Sequence, residues 1–287
     1  MKIGHLDTRE RVVIVAEIGL NHEGDEEVAQ DLIMTAGEAG ADAVKFQVYR
    51  AAKYADPSDT ERYERLKRFE LTVEETTDLS DFARSGGLAF IATPFDLPSA
   101  DLCIRICDAV KIASKDFDLW PLLEPVADSD RPMILSTGMS DMARVRETVE
   151  RVNARRDEDV GLAVLHCVSG YPTPDEQAEL RAISLLACMS CAEVGYSDHT
   201  IGIEAAPLAV ALGARIIEKH LTLDHDYSSF RDHAVSATPE QFSAMAGRIR
   251  QAEEMLGEPV KRVQSCEQTT IRACAVERAF RVSRLAC

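Results

Sequence analysis

No stretch of the chain approaches the roughly 20 consecutive apolar residues that a membrane-spanning helix requires, and the opening segment, Met1 to Arg11, lacks the apolar core of a signal peptide. A cytoplasmic protein is the expectation. Positive charge is scarce: 32 Lys and Arg face 49 Asp and Glu, a formal net charge of −17. Such a surface repels nucleic acid and anionic membranes, so neither is expected as a partner. It also repels anionic metabolites at long range, so any that bind need a locally basic pocket. Arg outnumbers Lys, which fits a genomic composition bias; salt adaptation is the other reading. Linkers and low-complexity segments are missing, so nothing divides the chain into domains. A second CxxC is missing too, and Cys188 with Cys191 alone is a poor zinc signature. Cys103 and Cys107, at helical i,i+4 spacing, read as half-buried, and all 8 cysteines are expected as free thiols.

What is present is a repeat of short apolar runs and longer amphipathic stretches. The 287 residues, 46% of them hydrophobic, can bury a large core. The runs are Val12–Ile18, Ala43–Val48, Ala89–Thr93, Ala109–Ala113, Pro132–Leu135, Leu162–His166, Glu193–Tyr196 and Arg215–Leu221. Most are continuous enough for strands buried on both faces; Glu-Val-Gly-Tyr is the weakest. Between them, Val28, Leu32, Ala36 and Ala39 share a helical face, as do Phe242, Met245, Ile249, Ala252 and Leu256. The latter helix has an N-cap in Thr238, Pro239 in its first turn, Gln241 to close a capping box and Gly257 to stop it. Eight strand–helix units predict a single-domain (β/α)₈ TIM barrel over about residues 12–257, with a short tail at 258–287.

Polar residues fall at the ends of these runs: Glu17; Lys45 and Gln47; Thr93; Lys111 and Ser114; Ser136 and Thr137; His166; Ser197, Asp198 and His199; Glu218, Lys219 and His220. In a parallel barrel the carboxyl ends of the strands converge on one mouth, where active sites lie. Lys45 and Lys111, with hydroxyls from Thr93, Ser114, Ser136 and Ser197 and the close backbone approach that Gly138 permits, suit a ligand bearing phosphate and carboxylate. Pairing of each lysine with an acid such as Glu17 or Glu218 is the alternative. His199 and His220, ending adjacent strands, can bind one divalent metal.

At these residues the sequence resembles the sialic acid synthase family. The matching segments are Ala16-Glu17-Ile18-Gly19-Leu20-Asn21-His22, Lys45-Phe46-Gln47, Thr93-Pro94-Phe95-Asp96, Lys111-Ile112-Ala113-Ser114, Ser136-Thr137-Gly138-Met139, His166 to Pro172, Ser197-Asp198-His199-Thr200 and Glu218 to Thr222. They run in the family's order from Glu17 to about Gly257. The resemblance implies condensation of phosphoenolpyruvate with N-acetylmannosamine or a related hexose, giving a nine-carbon 2-keto sugar acid and phosphate. It implies Mn²⁺ or Mg²⁺ on His199 and His220, and phosphoenolpyruvate contacts from Lys45, Thr93, Lys111, Ser114, Ser136, Ser169 and Ser197. Sugar contacts would come from Gln47, Asp116, Tyr171 and Asp232, with Glu17 near the metal. Glu17, Asp116, His199 and His220 form the implied catalytic set.

Departures from the family's pattern fall on the sugar side. The family's C-terminal antifreeze-like domain has no counterpart in the sequence. Lys115-Asp116 replaces a Gly-acid pair and adds a cation near the mouth. The loop from Arg50 to Phe69 has no match to the family's sugar-binding asparagine. The loop from Thr222 to Thr238, with Tyr227, Phe230, Arg231 and Asp232, is long enough to act as a lid, in which case Arg231 and Asp232 would contact the sugar. Two alternatives remain open: a related synthase using a phosphorylated sugar, for which Lys115 or Arg231 could supply an anion site, and a catalytically weak barrel serving as a binding or assembly subunit. A homo-oligomer is compatible with either.

Overall fold

The structure is a computed structural model that describes residues 1–157, 159–189 and 192–285; Cys191 of the CxxC lies outside them. Eight parallel strands close into a barrel: β1 Val13–Gly19, β2 Ala43–Val48, β3 Ala89–Pro94, β4 Ala109–Ile112, β5 Met133–Ser136, β6 Leu162–Cys167, β7 Glu193–Asp198 and β8 Ile216–His220, each hydrogen-bonded to its sequence neighbour and β8 to β1. Every expected run is a strand, displaced by two residues at most.

Because side chains alternate across a strand, each strand has an inner and an outer set. The inner set begins with Val13, Val15, Ala43, Ala89, Ile91, Ala109, Ile134, Ala163, Leu165 and Ile216, a packed apolar plug in the lower barrel. Its open end is covered by an antiparallel hairpin, Lys2–Ile3 against Leu6–Asp7, which adds Met1, Ile3 and Leu6 to the plug. The outer set, including Ile14, Val44, Phe46, Phe90 and Val110, packs under the helices in a separate core.

The helices follow from local signals. Helix α1 (Glu26–Glu38) starts at Asp25, whose carboxylate accepts from the Glu27 and Val28 amides, and buries Ala29, Leu32, Ile33 and Ala36. Two helices, α2 (Ala51–Tyr54) and α3 (Thr60–Phe69), occupy what reads as a loop in the sequence. Helix α4 (Val73–Ser85) carries a complete capping box from Thr72 and Glu75. The remaining helices are α5 (Leu97–Ile106), α6 (Trp120–Ala127), α7 (Met142–Asn153), α8 (Ala182–Ala187), α9 (Ala205–Ala211), α10 (Arg231–Val235) and α11 (Pro239–Leu256). Helix α11 opens as expected: the Thr238 amide donates to Gln241 and the Gln241 amide to Thr238. Cys103 and Cys107 in and after α5 are fully buried rather than half-buried, because the i,i+4 face they share points at the outer core. Among the described residues the cysteines are free thiols, and no helix is long and apolar enough to cross a membrane. Residues 1–255 form one compact unit; residues 256–287 form a second, containing helix α12 (Gln268–Leu285) behind a single 3₁₀ turn.

Candidate active site

Above the apolar plug the inner set turns polar. The alternation that places Val13 and Val15 inside also brings in Glu17; Ala43 is followed by Lys45 and Gln47, Ile91 by Thr93, and Ala109 by Lys111. Ile134 leads to Ser136, Leu165 to Cys167, Gly195 to Ser197 and His199, and Ile216 to Glu218 and His220. These side chains line one cavity of about 660 Å³ at the carboxyl end of the barrel.

Its floor is a buried network of charge. Lys45 Nζ lies 2.7 Å from Glu17 Oε2 and 3.8 Å from Glu218, and donates to Thr93 Oγ1 at 3.1 Å. Lys111 Nζ lies 3.4 Å from Glu218, which also accepts from Ser197 Oγ at 2.8 Å. Each lysine is therefore paired with an acid, as the alternative reading has it, and each also faces the cavity. The two carboxylates are not equivalent. Burial pushes the Glu17 carboxyl up, against the pull of Lys45. Burial acts on Glu218 in the same sense, but the ammoniums of Lys111 and Lys45 outweigh it and hold Glu218 well below the usual carboxylate range. Burial in turn pulls Lys111 down, against the attraction of Glu218. Next to this floor the Gly138 amide donates to Ser114 Oγ at 3.0 Å, and a Cβ at Gly138 would collide with the hydroxyls of Ser169 and Ser114. Three donors thus meet where only glycine leaves room.

The imidazoles stand on the neighbouring strands β7 and β8, ring centroids 5.6 Å apart. His199 Nδ1 donates to the Val168 carbonyl at 2.9 Å, which leaves a lone pair on Nε2. Burial pushes the His220 imidazole down to about 3, so it is neutral, and its Nδ1 is buried without a partner. Burial pulls the His199 imidazole down as well, but Cys167 and the Val168 carbonyl outweigh it and raise it. Two adjacent imidazoles lining one cavity are what a divalent metal takes, so the residues present fit one. Among the described residues no cluster of three or more His, Cys, Asp or Glu is arranged around a metal, so two protein nitrogens would leave the other positions to substrate and water. Tyr171 packs on His199 at 4.2 Å, and Arg231 lies over the Tyr171 ring at 5.6 Å. The loop from Thr222 to Thr238 forms one wall: Phe230 meets Phe69 edge-on at 5.4 Å, Ser228 donates to Glu23, and His233 lies 3.3 Å from Glu23.

Of the expected site residues, Glu17, Lys45, Gln47, Thr93, Lys111 and Ser114 line the cavity, as do Ser136, Ser169, Tyr171, Ser197, His199, His220, Arg231 and Asp232. Asp116 does not; its side chain lies aside, with Oδ2 buried and unpartnered, and burial raises its carboxyl. Four polar residues at strand ends also stay out of the cavity. Asp198 and Lys219 alternate outward and pair with each other at 2.9 Å, Thr137 bonds the Leu165 carbonyl, and His166 bonds the Ala178 carbonyl at 2.8 Å. Sequence reasoning misses Cys167 and the arginines of α3, Arg62, Arg65 and Arg68, all of which line the cavity. Counting two residues on from Leu165 finds Cys167; the arginines require knowing that α3 folds over the mouth.

Residues 32–261 match the model of the NeuB family. The chain is 43% identical over 274 residues to the uncharacterized protein MJ1065 of Methanocaldococcus jannaschii, covering 94% of this chain and 80% of that one. It is 38% identical to the N,N'-diacetyllegionaminic acid synthase of Legionella pneumophila, covering 91% of this chain and 77% of that one. The crystal structure of an N-acetylneuraminic acid (sialic acid) synthetase from Leptospira borgpetersenii, in complex with citrate, superposes with a TM-score of 0.88 at 34% identity, covering 95% of each chain.

Proposed function

The chain belongs to the NeuB family, and from that premise we propose that it joins phosphoenolpyruvate to an aldose, an N-acetylmannosamine-like hexose, giving a nine-carbon 2-keto sugar acid and inorganic phosphate. The observation that carries the reading is one cavity holding two buried lysines, a ring of hydroxyls and two adjacent imidazoles. The names of the relatives, which are those of acidic-sugar synthases, support the reaction class.

Lys45 and Lys111 meet the anionic groups of phosphoenolpyruvate, and Thr93, Ser114, Ser136, Ser169 and Ser197 donate hydrogen bonds to it. The barrel strands fix these groups before substrate arrives, which lowers the entropic part of the barrier. Carbon 3 of phosphoenolpyruvate attacks the aldehyde carbon, forming the new C–C bond. Water adds at carbon 2, and the resulting tetrahedral centre breaks its C–O bond to release phosphate and leave the ketone. His199 Nε2 and a ring nitrogen of His220 would hold a Mn²⁺ or Mg²⁺ ion, which when bound polarises the acceptor carbonyl. Glu17, paired with Lys45 at 2.7 Å and accepting from Gln47, stands at the reacting centre, where it can take a proton from the adding water and pass one to the new alkoxide. Gln47, Tyr171 and Asp232, which line the same cavity, would contact the sugar.

The test is phosphate release from phosphoenolpyruvate and Mn²⁺ with a panel of aldoses. Lys111→Ala should weaken phosphoenolpyruvate about ten- to a hundredfold, as expected for loss of a hydrogen bond to a charged group, with little change for the acceptor. Excess chelator should abolish turnover. Full activity under chelation would remove the metal from the mechanism, and no phosphate release with any aldose would favour a binding subunit.

A further inference from the structure

The floor of the cavity is balanced: Lys45 and Lys111 face Glu17 and Glu218, all four buried. The rim is not. Seven cationic and five acidic side chains line the whole cavity, so the rim carries an excess of positive charge on a chain of net charge −17. The excess centres on Lys115 and Arg62. Lys115 Nζ sits 3.9 Å from the centroid of the Tyr54 ring and 4.1 Å from that of Phe95, and donates to the Tyr54 hydroxyl. The two rings stack on each other at 4.7 Å. The Arg62 guanidinium lies 5.2 Å from the same Tyr54 ring. Among the described residues neither cation is in an ion pair, whereas Arg9, Arg144, Arg155 and Arg250 each sit on a carboxylate.

Ring faces hold a cation in place without cancelling its charge. Lys115 and Arg62 are therefore held in position outside any ion pair among the described residues, one from the turn after β4 and the other from α3, and both line the cavity. Phosphoenolpyruvate does not need them, since the buried lysines and hydroxyls already answer its charges. They stand at the exposed rim, whereas the imidazoles and Glu17 that would meet an aldehyde are buried. An acceptor whose aldehyde reaches the floor points its far end at the rim.

We infer that Lys115 and Arg62 form a subsite for a phosphomonoester on the acceptor carbon farthest from the aldehyde, so that the acceptor is a phosphorylated hexose. This rests on the condensation proposed above. A dianion suits two unpaired cations on one ring better than a single carboxylate does, and a neutral hydroxyl would leave both unanswered.

The experiment measures phosphoenolpyruvate consumption with N-acetylmannosamine, its 6-phosphate and the corresponding hexuronic acid, for wild type, Lys115→Gln and Arg62→Gln. The 6-phosphate should exceed the neutral sugar in kcat/KM by about ten- to a hundredfold, the range for a hydrogen bond to a charged group. Each variant should collapse that ratio through the KM of the phosphorylated sugar, with the KM of phosphoenolpyruvate unchanged. Equal use of the neutral sugar, equal use of the hexuronate, or a ratio that survives both substitutions overturns the subsite while leaving the condensation intact. Turnover with none of the three sugars defeats the condensation instead. Calorimetric binding of the 6-phosphate then decides the subsite: weaker binding in Lys115→Gln supports it, and unchanged binding overturns it.

Discussion

Lys219 and His220 are neighbours in sequence and face opposite sides of β8. Lys219 donates to Asp198 Oδ2 at 2.9 Å and to the Thr200 carbonyl at 2.6 Å, while Asp198 Oδ1 accepts from Tyr196 and Thr200. Both members of the ion pair are buried, so truncating one leaves the other charged in a dry environment. Lys219→Met should cost about 3–5 kcal/mol, the range for breaking a buried pair, and a second change, Asp198→Asn, should recover part of it. Denaturant midpoints check this; a loss under about 1 kcal/mol would place the pair among surface-like bridges. His22 offers a pH test. It is buried, its Nδ1 accepts from the Gly24 amide at 3.0 Å, and burial pushes it from its ordinary 6.5 to about 4. The unfolded chain therefore binds the proton more tightly, and the stability involved is fully present above pH 6.5 and lost as pH falls through 4. The difference is about 3 kcal/mol, since each tenfold change in proton affinity is worth about 1.4 kcal/mol. His22→Gln should flatten the loss of stability between pH 6.5 and 4 relative to wild type; parallel slopes would count against it.

Among the elements, β7 shows what a sequence conceals. Its Glu-Val-Gly-Tyr core looks weak for a strand, yet Gly195 is an inner position where Leu165 of β6 fills the barrel. A Cβ there would collide with the Leu165 side chain and lie 2.5 Å from the Ile216 carbonyl oxygen. Gly195→Ala should destabilise by about 2–3 kcal/mol through overpacking, visible as a lower thermal midpoint; an unchanged midpoint would mean that the plug is loose. The barrel is legible in the sequence because eight apolar runs recur with amphipathic stretches between them. Most of the site is legible because its residues sit two apart along those runs. Alternation is the step that corrects the remainder: it sends Lys219 and Asp198 outward and brings Cys167 in. The α3 arginines are hidden for another reason. Their helix has few apolar residues, burying only Leu66 and Phe69, so its sequence reads as a charged loop until tertiary packing places it beside the mouth.

Across the whole molecule, two opposed fields act on an anionic substrate. The net charge of −17 repels it at a distance, while the rim cations attract it at short range. Which one governs encounter depends on the screening length, about 30 Å at 0.01 M salt and about 8 Å at 0.15 M. At the lower salt, an approaching phosphoenolpyruvate responds to charges spread over much of the barrel, and its concentration at the mouth is depressed. At the higher salt those distant carboxylates are screened, and it meets mainly the cavity lining. The kcat/KM for phosphoenolpyruvate should therefore rise severalfold between about 0.01 and 0.15 M of an inert monovalent salt, within the range of steering effects on charged ligands. The change should sit in KM, because kcat begins from a bound complex, which in the proposed binding mode already holds the substrate against Lys45 and Lys111. A phosphorylated acceptor should follow the same trend and a neutral one should not, so a single salt series reports on both substrates. A steady fall in phosphoenolpyruvate efficiency from the lowest salt would show that the rim cations dominate even at long range, and that the acidic surface lies too far from the approach path to matter.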